Sequence, residues 1–429
     1  LIGLASALGV AGCGSIVTTS GAGPTTTLVP GPTVQLGYLG PLHGPDAAVG
    51  KAMQQGAYLA VQEFSTAHPS YNVLLRSENI SGTGQSAPQT RKLLAEGVVG
   101  VVGPATDAEA DVVDPILEAA DVPQIAVSAT GDDLSEQGDP DFHRLVASDA
   151  QSGVDDAAFV DSKDPTSVAV ITDASANDGL STALGEALAS DGVLGPQSSV
   201  SSGQPPTLVA ASILADSPVP DWVVFDGSAD NGGQLVEALN LAGYTGSILL
   251  VGNAGDPLRA ADAAWVLEGD KAYLSCPCDG DSGVTTPQLA FADAYRADYG
   301  VAPPEWAAQG FDAANILLDA TLPSSSPTGG GSGAAGSGAG GASTGSPTST
   351  TASASPSSAA HPAPVVVTAK GIEGVLAAAT RPYVGVSGSI SFASDGDLGD
   401  APVWIWNVAN GKVTQETNPV AVSDAGTGS

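Results

Sequence analysis

The feature that most restricts the fold is an alternation that runs twice along the chain. In the first pass, residues 34–39 read as a strand, and Val49, Met53, Ala57, Ala60 and Phe64 then recur at helical spacing. Residues 71–75, 98–102 and 124–127 are further short apolar runs, separated by helical stretches at 87–94 and 109–120. After Asp149 the pattern restarts: strands at 168–172, 222–225 and 248–251 alternate with helices near 179–189, 207–215 and 234–242. The strands are apolar throughout, as they are when helices cover both faces of a parallel sheet. The expected fold class is α/β: two doubly wound parallel-sheet lobes side by side, with a cleft between them.

Charge and low complexity bound the partners and the domain plan. Twelve Lys and Arg stand against 46 Asp and Glu, so the formal net charge is 12 − 46 = −34. A chain so short of bases repels phosphate backbones and anionic headgroups, and no nucleic-acid partner is expected. Residues 323–364 are almost wholly Ser, Thr, Gly, Ala and Pro, and no Asp, Glu, Lys or Arg occurs between Asp319 and Lys370. Such a segment buries too little to offset its ordering entropy and reads as a disordered insertion. The stretch 365–422 holds one helical pattern at 371–379 and three strand-like runs, too little for a core of its own, so the insertion is placed inside one folded unit.

The three cysteines fall in two contexts. Cys13 follows an apolar run, residues 1–12, too short to span a bilayer and suited to the core of a clipped signal peptide. Val10-Ala11-Gly12-Cys13 resembles the bacterial lipobox, which implies a diacylglycerol on Cys13, with 14–32 as a flexible tether. The protein is then expected outside the cytoplasmic membrane, touching it only through this lipid anchor. Cys276 and Cys278 form a C-x-C pair, and two readings stand: a disulfide in an oxidising compartment, or two reduced, partly buried thiols.

In open α/β sheets, ligands collect beyond the carboxyl ends of the strands, where helix starts present unpaired N–H groups. That rule selects residues 40–45, 103–107 and 128–130 in the first lobe and 173–177, 226–230 and 252–256 in the second, with Ser128 and Thr130 foremost. Helix capping accounts for part of this Ser, Thr and Asp content. Gly82, Gly84 and Ala87 match G-x-G-x-x-A, but a long loop is expected before their helix, and no dinucleotide site is assigned. Asp395, Asp397 and Asp400 read as a hairpin turn rather than a calcium loop, and His43, His68, His143 and His361 lack metal-ligand spacing. With no G-x-S-x-G elbow outside the low-complexity segment, and no H-E-x-x-H or P-loop either, the reading is a binding protein, not an enzyme, without metal or cofactor.

Residues 35–61, VVGPAT at 101–106, VPQIAVSAT at 122–130, FHRLVASDAQSG at 142–153, WAAQGFDAANIL at 306–317 and GSISFASDGDL at 388–398 running into VWIWNVANGKV at 403–413 resemble the leucine/isoleucine/valine-binding protein family. These are type I periplasmic solute-binding proteins that feed ABC importers. The resemblance implies three crossovers, near 146–150, 274–279 and 398–403, hinge closure over a small molecule, and docking on a permease. It divides the chain into lobe one at 33–148, 277–322 and 365–400, lobe two at 149–276 and 401–422, and a tail at 423–429. The family's carboxylate-binding turn falls on Ala129 and Thr130, its preceding Ser on Asp107 with Thr106 beside it, and its ammonium-binding acid on Ala254 next to Asn253. The aromatic wall positions fall on Val49, Asn177 or its neighbour, and Ser228. The scaffold is kept and the amino-acid clamp is not, so the ligand is expected to differ from a standard amino acid. Asp107 points to a cationic or hydroxyl-rich solute, or else is only a first-turn acid favoured by the helix dipole. Two other roles stay open: a sensing ectodomain for a signalling partner, and a surface interaction protein without a ligand.

Overall fold

The computed structural model describes residues 31–176, 178–201, 204–255, 271–278, 285–322, 367–379, 381–399, 401–409 and 412–416. Cys13, the tether as far as residue 30, Asn177, Asp256, the segment 323–364, His361, Asp400 and the tail 423–429 lie outside them. The first lobe opens with β1 (Thr33–Gly40), α1 (Ala47–Ala67), β2 (Asn72–Asn79), α2 (Thr83–Glu96), β3 (Gly100–Val102), α3 (Asp107–Glu118), β4 (Gln124–Ala126), α4 (Asp133–Glu136) and β5 (Phe142–Arg144). Its strands form a parallel sheet of order β2-β1-β3-β4-β5. The chain then crosses to the second lobe through α5 (Asp149–Asp161), β6 (Val168–Thr172), α6 (Asp178–Ser190), β7 (Leu194–Ser199), α7 (Pro206–Ala215), β8 (Trp222–Asp226), α8 (Ala229–Leu241), β9 (Ser247–Val251) and β10 (Ala272–Cys276).

After Cys276 the chain returns to lobe one with α9 (Thr286–Tyr299) and α10 (Ala307–Asp319), and later adds α11 (Ala369–Ala377) and the small antiparallel pair β11 (Tyr383–Val384) and β12 (Ser389–Ile390). A third passage leads to β13 (Trp404–Ala409), antiparallel to β10, and β14 (Lys412–Gln415). The second sheet therefore runs β14-β13-β10-β9-β8-β6-β7. This is the expected α/β architecture of two lobes and three crossovers. The five residues of β8 are buried, as strands covered on both faces must be.

Several expectations change in detail. The second passage begins after Cys276, within the expected 274–279, because Ala272–Cys276 is still a strand of the second sheet. Among the described residues, the last part of the chain carries four short strands where three were expected. No long loop precedes the Gly82 turn: β2 runs to Asn79 and α2 starts at Thr83. The N–H of Gly82 donates to Glu109 Oε1 at 3.4 Å, which puts a carboxylate where a dinucleotide would need its phosphate. The acids at 395 and 397 do sit in a tight turn, in which Ala393 N–H donates to the Asp397 carbonyl.

Lobe one is clamped by a close helix crossing. A Cβ on Gly56 of α1 would overlap the Ala307 carbonyl oxygen, and one on Gly310 of α10 would overlap the Met53 carbonyl. The two backbones therefore touch with no side chain between them, and both positions require glycine for space rather than for φ. Tyr295 and Tyr299 tie α9 to α1, with their hydroxyls donating to the Gln55 side chain and the Gln55 carbonyl.

The interior also holds carboxyls that prefer to be neutral. Burial pushes Asp114 up to about 7 against the opposing hydrogen bond from Gln124. Burial and then Asp139 raise Asp141 to about 6, while burial raises Asp312 to about 6 although Ser387 and Val386 donate to it. A carboxyl raised in the fold contributes most below its unfolded value near ~3.9 and loses that contribution as pH climbs to its folded value. His143, lowered by burial to about 4, works oppositely, losing its contribution as pH falls below the unfolded ~6.5. Between pH 7.5 and 5.5 the three acids outweigh the one imidazole. The protein is expected to gain about 2 kcal/mol on that acidification, read as a higher thermal unfolding midpoint; a lower midpoint at pH 5.5 would contradict the assignment.

Candidate functional site

A cavity of about 360 Å³ opens between the lobes. Lobe one supplies most of its lining: Pro41 after β1, Asp46 and Val49 at the start of α1, the turn Ala105 to Ala108 after β3, and Ser128 and Thr130 after β4. Trp306 closes one side, and Asn253 reaches in from lobe two. A narrower extension of about 80 Å³ shares Ser128, Thr130, Asn253 and Trp306 and continues past Asp149, Ser152 and Leu180 to Cys276 and Pro277. Every lobe-one strand that contributes does so through the residues just beyond its carboxyl end, as the architecture requires.

The turn after β4 is held from three sides. Ser128 Oγ donates to the Ala105 carbonyl at 2.7 Å, which joins it to the neighbouring turn after β3. The N–H groups of Thr130 and Gly131 donate to Asp107 Oδ1 at 2.7 and 2.9 Å. The Thr130 carbonyl accepts from Asp149 N–H at 2.8 Å, a bond that reaches across the first crossover to α5. A Cβ at Gly131 would press on the Asp107 carboxyl carbon at 3.2 Å, so that glycine keeps the acid seated. Thr106 caps α3 by accepting from Glu109 N–H. Asp107 is thus more than a first-turn acid: its carboxylate organises the turn that carries Thr130.

Arg144, fully buried at the end of β5, fixes this turn from behind. Its guanidinium donates to the Gly131 carbonyl and Ser135 Oγ, each at 2.8 Å, and pairs with Asp397 Oδ1 at 2.6 Å. One base therefore links the site turn to the segment that leads into the third crossover.

The remaining sequence-derived candidates lie elsewhere. Ala129 is buried with Ala110, Ala126, Leu134 and Phe142, and its side chain belongs to that cluster rather than the cavity. Ser228 caps α8, accepting from Asn231 N–H while its hydroxyl donates to Asp173 Oδ2 at 3.0 Å, and it is not part of the described cavity lining. Burial works to raise Asp173, but hydrogen bonds from Asn231, Ser175 and Ser228 outweigh it and hold the carboxyl below its ordinary range. Cys276 and Cys278 are joined by a disulfide beside the second crossover, next to Pro277 at the cavity extension.

Trp306 is a lining residue that strand-end reasoning does not reach. It caps α10 with φ at +69°, a conformation rare for any residue but glycine and concentrated at functional sites. It is 5% exposed, and its indole Nε1 has no hydrogen-bond partner among the described residues. A chain signal existed in Pro303-Pro304, a breaker pair that marks a boundary just ahead of the helix beginning at Ala307.

A family profile described as periplasmic binding protein matches residues 33–336. The chain belongs to the periplasmic binding protein family. Among relatives, this periplasmic binding protein is 26% identical over 271 residues to the Leu/Ile/Val-binding protein BraC3 of Rhizobium johnstonii, a match covering 62% of this chain and 72% of the relative. Its fold is similar to the branched-chain amino acid transporter substrate-binding protein LivJ of Streptococcus pneumoniae, solved with isoleucine, at TM-score 0.68 and 21% identity, covering 91% of this chain and 99% of that one. It is also similar to a solute-binding protein of R. palustris solved with benzoate, at TM-score 0.67 and 17% identity, covering 92% and 98%. These relatives are binding proteins rather than enzymes. The two structural likenesses carry the fold alone.

Proposed function

We propose that this protein captures a small polar solute between its lobes outside the cytoplasmic membrane and delivers it to the permease of an ABC importer. The observation that carries the reading is the inter-lobe cavity of about 360 Å³, with Ser128 and Thr130 on one wall and Asn253 on the other. A hinge motion about the three crossovers brings those walls together, and the closed form is the one the permease recognises. Thr106, Asp107, Ser128 and Thr130 hold the solute from lobe one and Asn253 from lobe two. The lobe boundaries proposed from the sequence, and a lipid on Cys13 that tethers the protein through residues 14–32, complete this reading.

Binding is the protein's whole task, with no chemical step. The ligand is proposed to differ from a standard amino acid, because the positions that would clamp a zwitterion carry Asp107 and Ala254. Native mass spectrometry tests the proposal. Freshly purified protein is expected to carry a small-molecule adduct that Thr130→Val, which keeps the side-chain volume but not the hydroxyl, reduces at least about tenfold in occupancy at limiting ligand.

A further inference from the structure

Three helix starts converge on the cavity, and each carries its own acid. Asp46 is the N-cap residue of α1, Asp107 the first residue of α3 and Asp149 the first residue of α5, and all three line the cavity or its extension. Helix starts alone would make this an anion site, since each presents unpaired N–H groups and about half a positive charge. An acid at each of these starts opposes that preference, because its carboxyl group offers acceptors and negative polarity where the helix would otherwise offer donors. The described lining of the cavity and its extension contains no Lys, Arg or His.

The backbone donors agree. Two consecutive N–H groups in a turn, such as those of Thr130 and Gly131, are the arrangement that grips an oxyanion. Both are already taken by Asp107 Oδ1, at 2.7 and 2.9 Å. An incoming carboxylate would find its donors filled and a like charge beside it. Trp306 adds an indole to the same lining, and the negative face of an aromatic ring favours cations.

We infer that the cleft recognises a solute that presents an amine or other cationic group to lobe one and no carboxylate there, with Asp107 the residue that sets this preference. The inference rests on the solute-binding reading above. Asp107 acts as an internal stand-in for a ligand carboxylate: it satisfies the turn amides permanently and leaves a negative wall in exchange.

The test uses wild type, Asp107→Asn and Asp107→Ala, with putrescine, agmatine and choline as cationic probes and isoleucine and benzoate as carboxylate probes, by isothermal titration calorimetry. Wild type is expected to bind at least one cation and neither carboxylate. Asp107→Asn keeps an oxygen that accepts from the turn amides but loses the charge, and is expected to bind that cation about tenfold more weakly or worse. Asp107→Ala frees the two amides, so titrated acetate is expected to shift the Thr130 and Gly131 amide resonances saturably in that variant and not in wild type. If Asp107→Ala does not fold, the Asn comparison decides the matter alone. Wild type that binds isoleucine or benzoate with an affinity unchanged in Asp107→Asn overturns the inference and leaves solute capture standing. No binding of any cation overturns the inference; if the purified protein also carries no adduct, solute capture falls with it.

Discussion

Arg144→Ala is expected to cost about 3–5 kcal/mol of stability, because it leaves partners of a buried charge unpaired in the interior. Arg144 is fully buried and holds the Gly131 carbonyl, Ser135 Oγ and Asp397 together. The loss is not only energetic. Gly131 N–H sits on Asp107 and its carbonyl on Arg144, so the base and the acid grip the two polar groups of one residue, adjacent to Thr130. Arg144→Met, which restores apolar volume without the charge, is expected to recover part of the stability but not the placement of the turn. Chemical denaturation gives the energies, and the Thr130 and Gly131 amide resonances report the turn. Arg144→Ala within about 1 kcal/mol of wild type would mean that water replaces the guanidinium and that the three-way link is not what holds the turn.

Gly310→Val is the second large effect, expected at about 3 kcal/mol or more. A branched side chain there meets backbone, the Met53 carbonyl and Cα, which cannot rotate away as a side-chain end could. α1 and α10 must separate, and the cavity feels it directly, since Asp46 and Val49 lie at the start of one helix and Trp306 at the start of the other. Loss of solute binding together with the fall in unfolding midpoint is expected. Retained binding at a lowered midpoint would show that the crossing stabilises lobe one without setting the geometry of the cleft.

How much of this could be read from residues alone follows from burial. β6 and β9 were legible because buried parallel strands are continuous apolar runs bounded by polar turns. β7 was not, because its residues LGPQSS are partly or fully exposed at a sheet edge and include a proline, so neither apolar content nor alternation marks it. β5 is three residues long and includes His143 and Arg144, whose burial depends on partners far along the chain: Arg144 pairs with Asp397, more than 250 positions away. α5 opens on Asp149, Gln151 and Ser152 and buries several acids, so its face carries little apolar periodicity.

The site divides along the same line. Thr106, Asp107, Ser128, Thr130 and Asn253 were found because strand order alone places strand ends at the cleft. Asp46 stands one residue beyond the turn that rule selected. Trp306 arrives from the α1–α10 crossing, a tertiary contact that no local pattern announces. What Asp107 does was also out of reach. Spacing places it at a helix start, but only coordinates put its carboxylate on the Thr130 and Gly131 amides.

The mass of the freshly purified protein under native conditions tests solute capture most directly. Solute capture requires a population heavier than the bare chain by one small molecule, released on denaturation and regained when the released fraction is added back. Bare protein in every preparation, with no mass gained from the cells' own soluble extract, would contradict it.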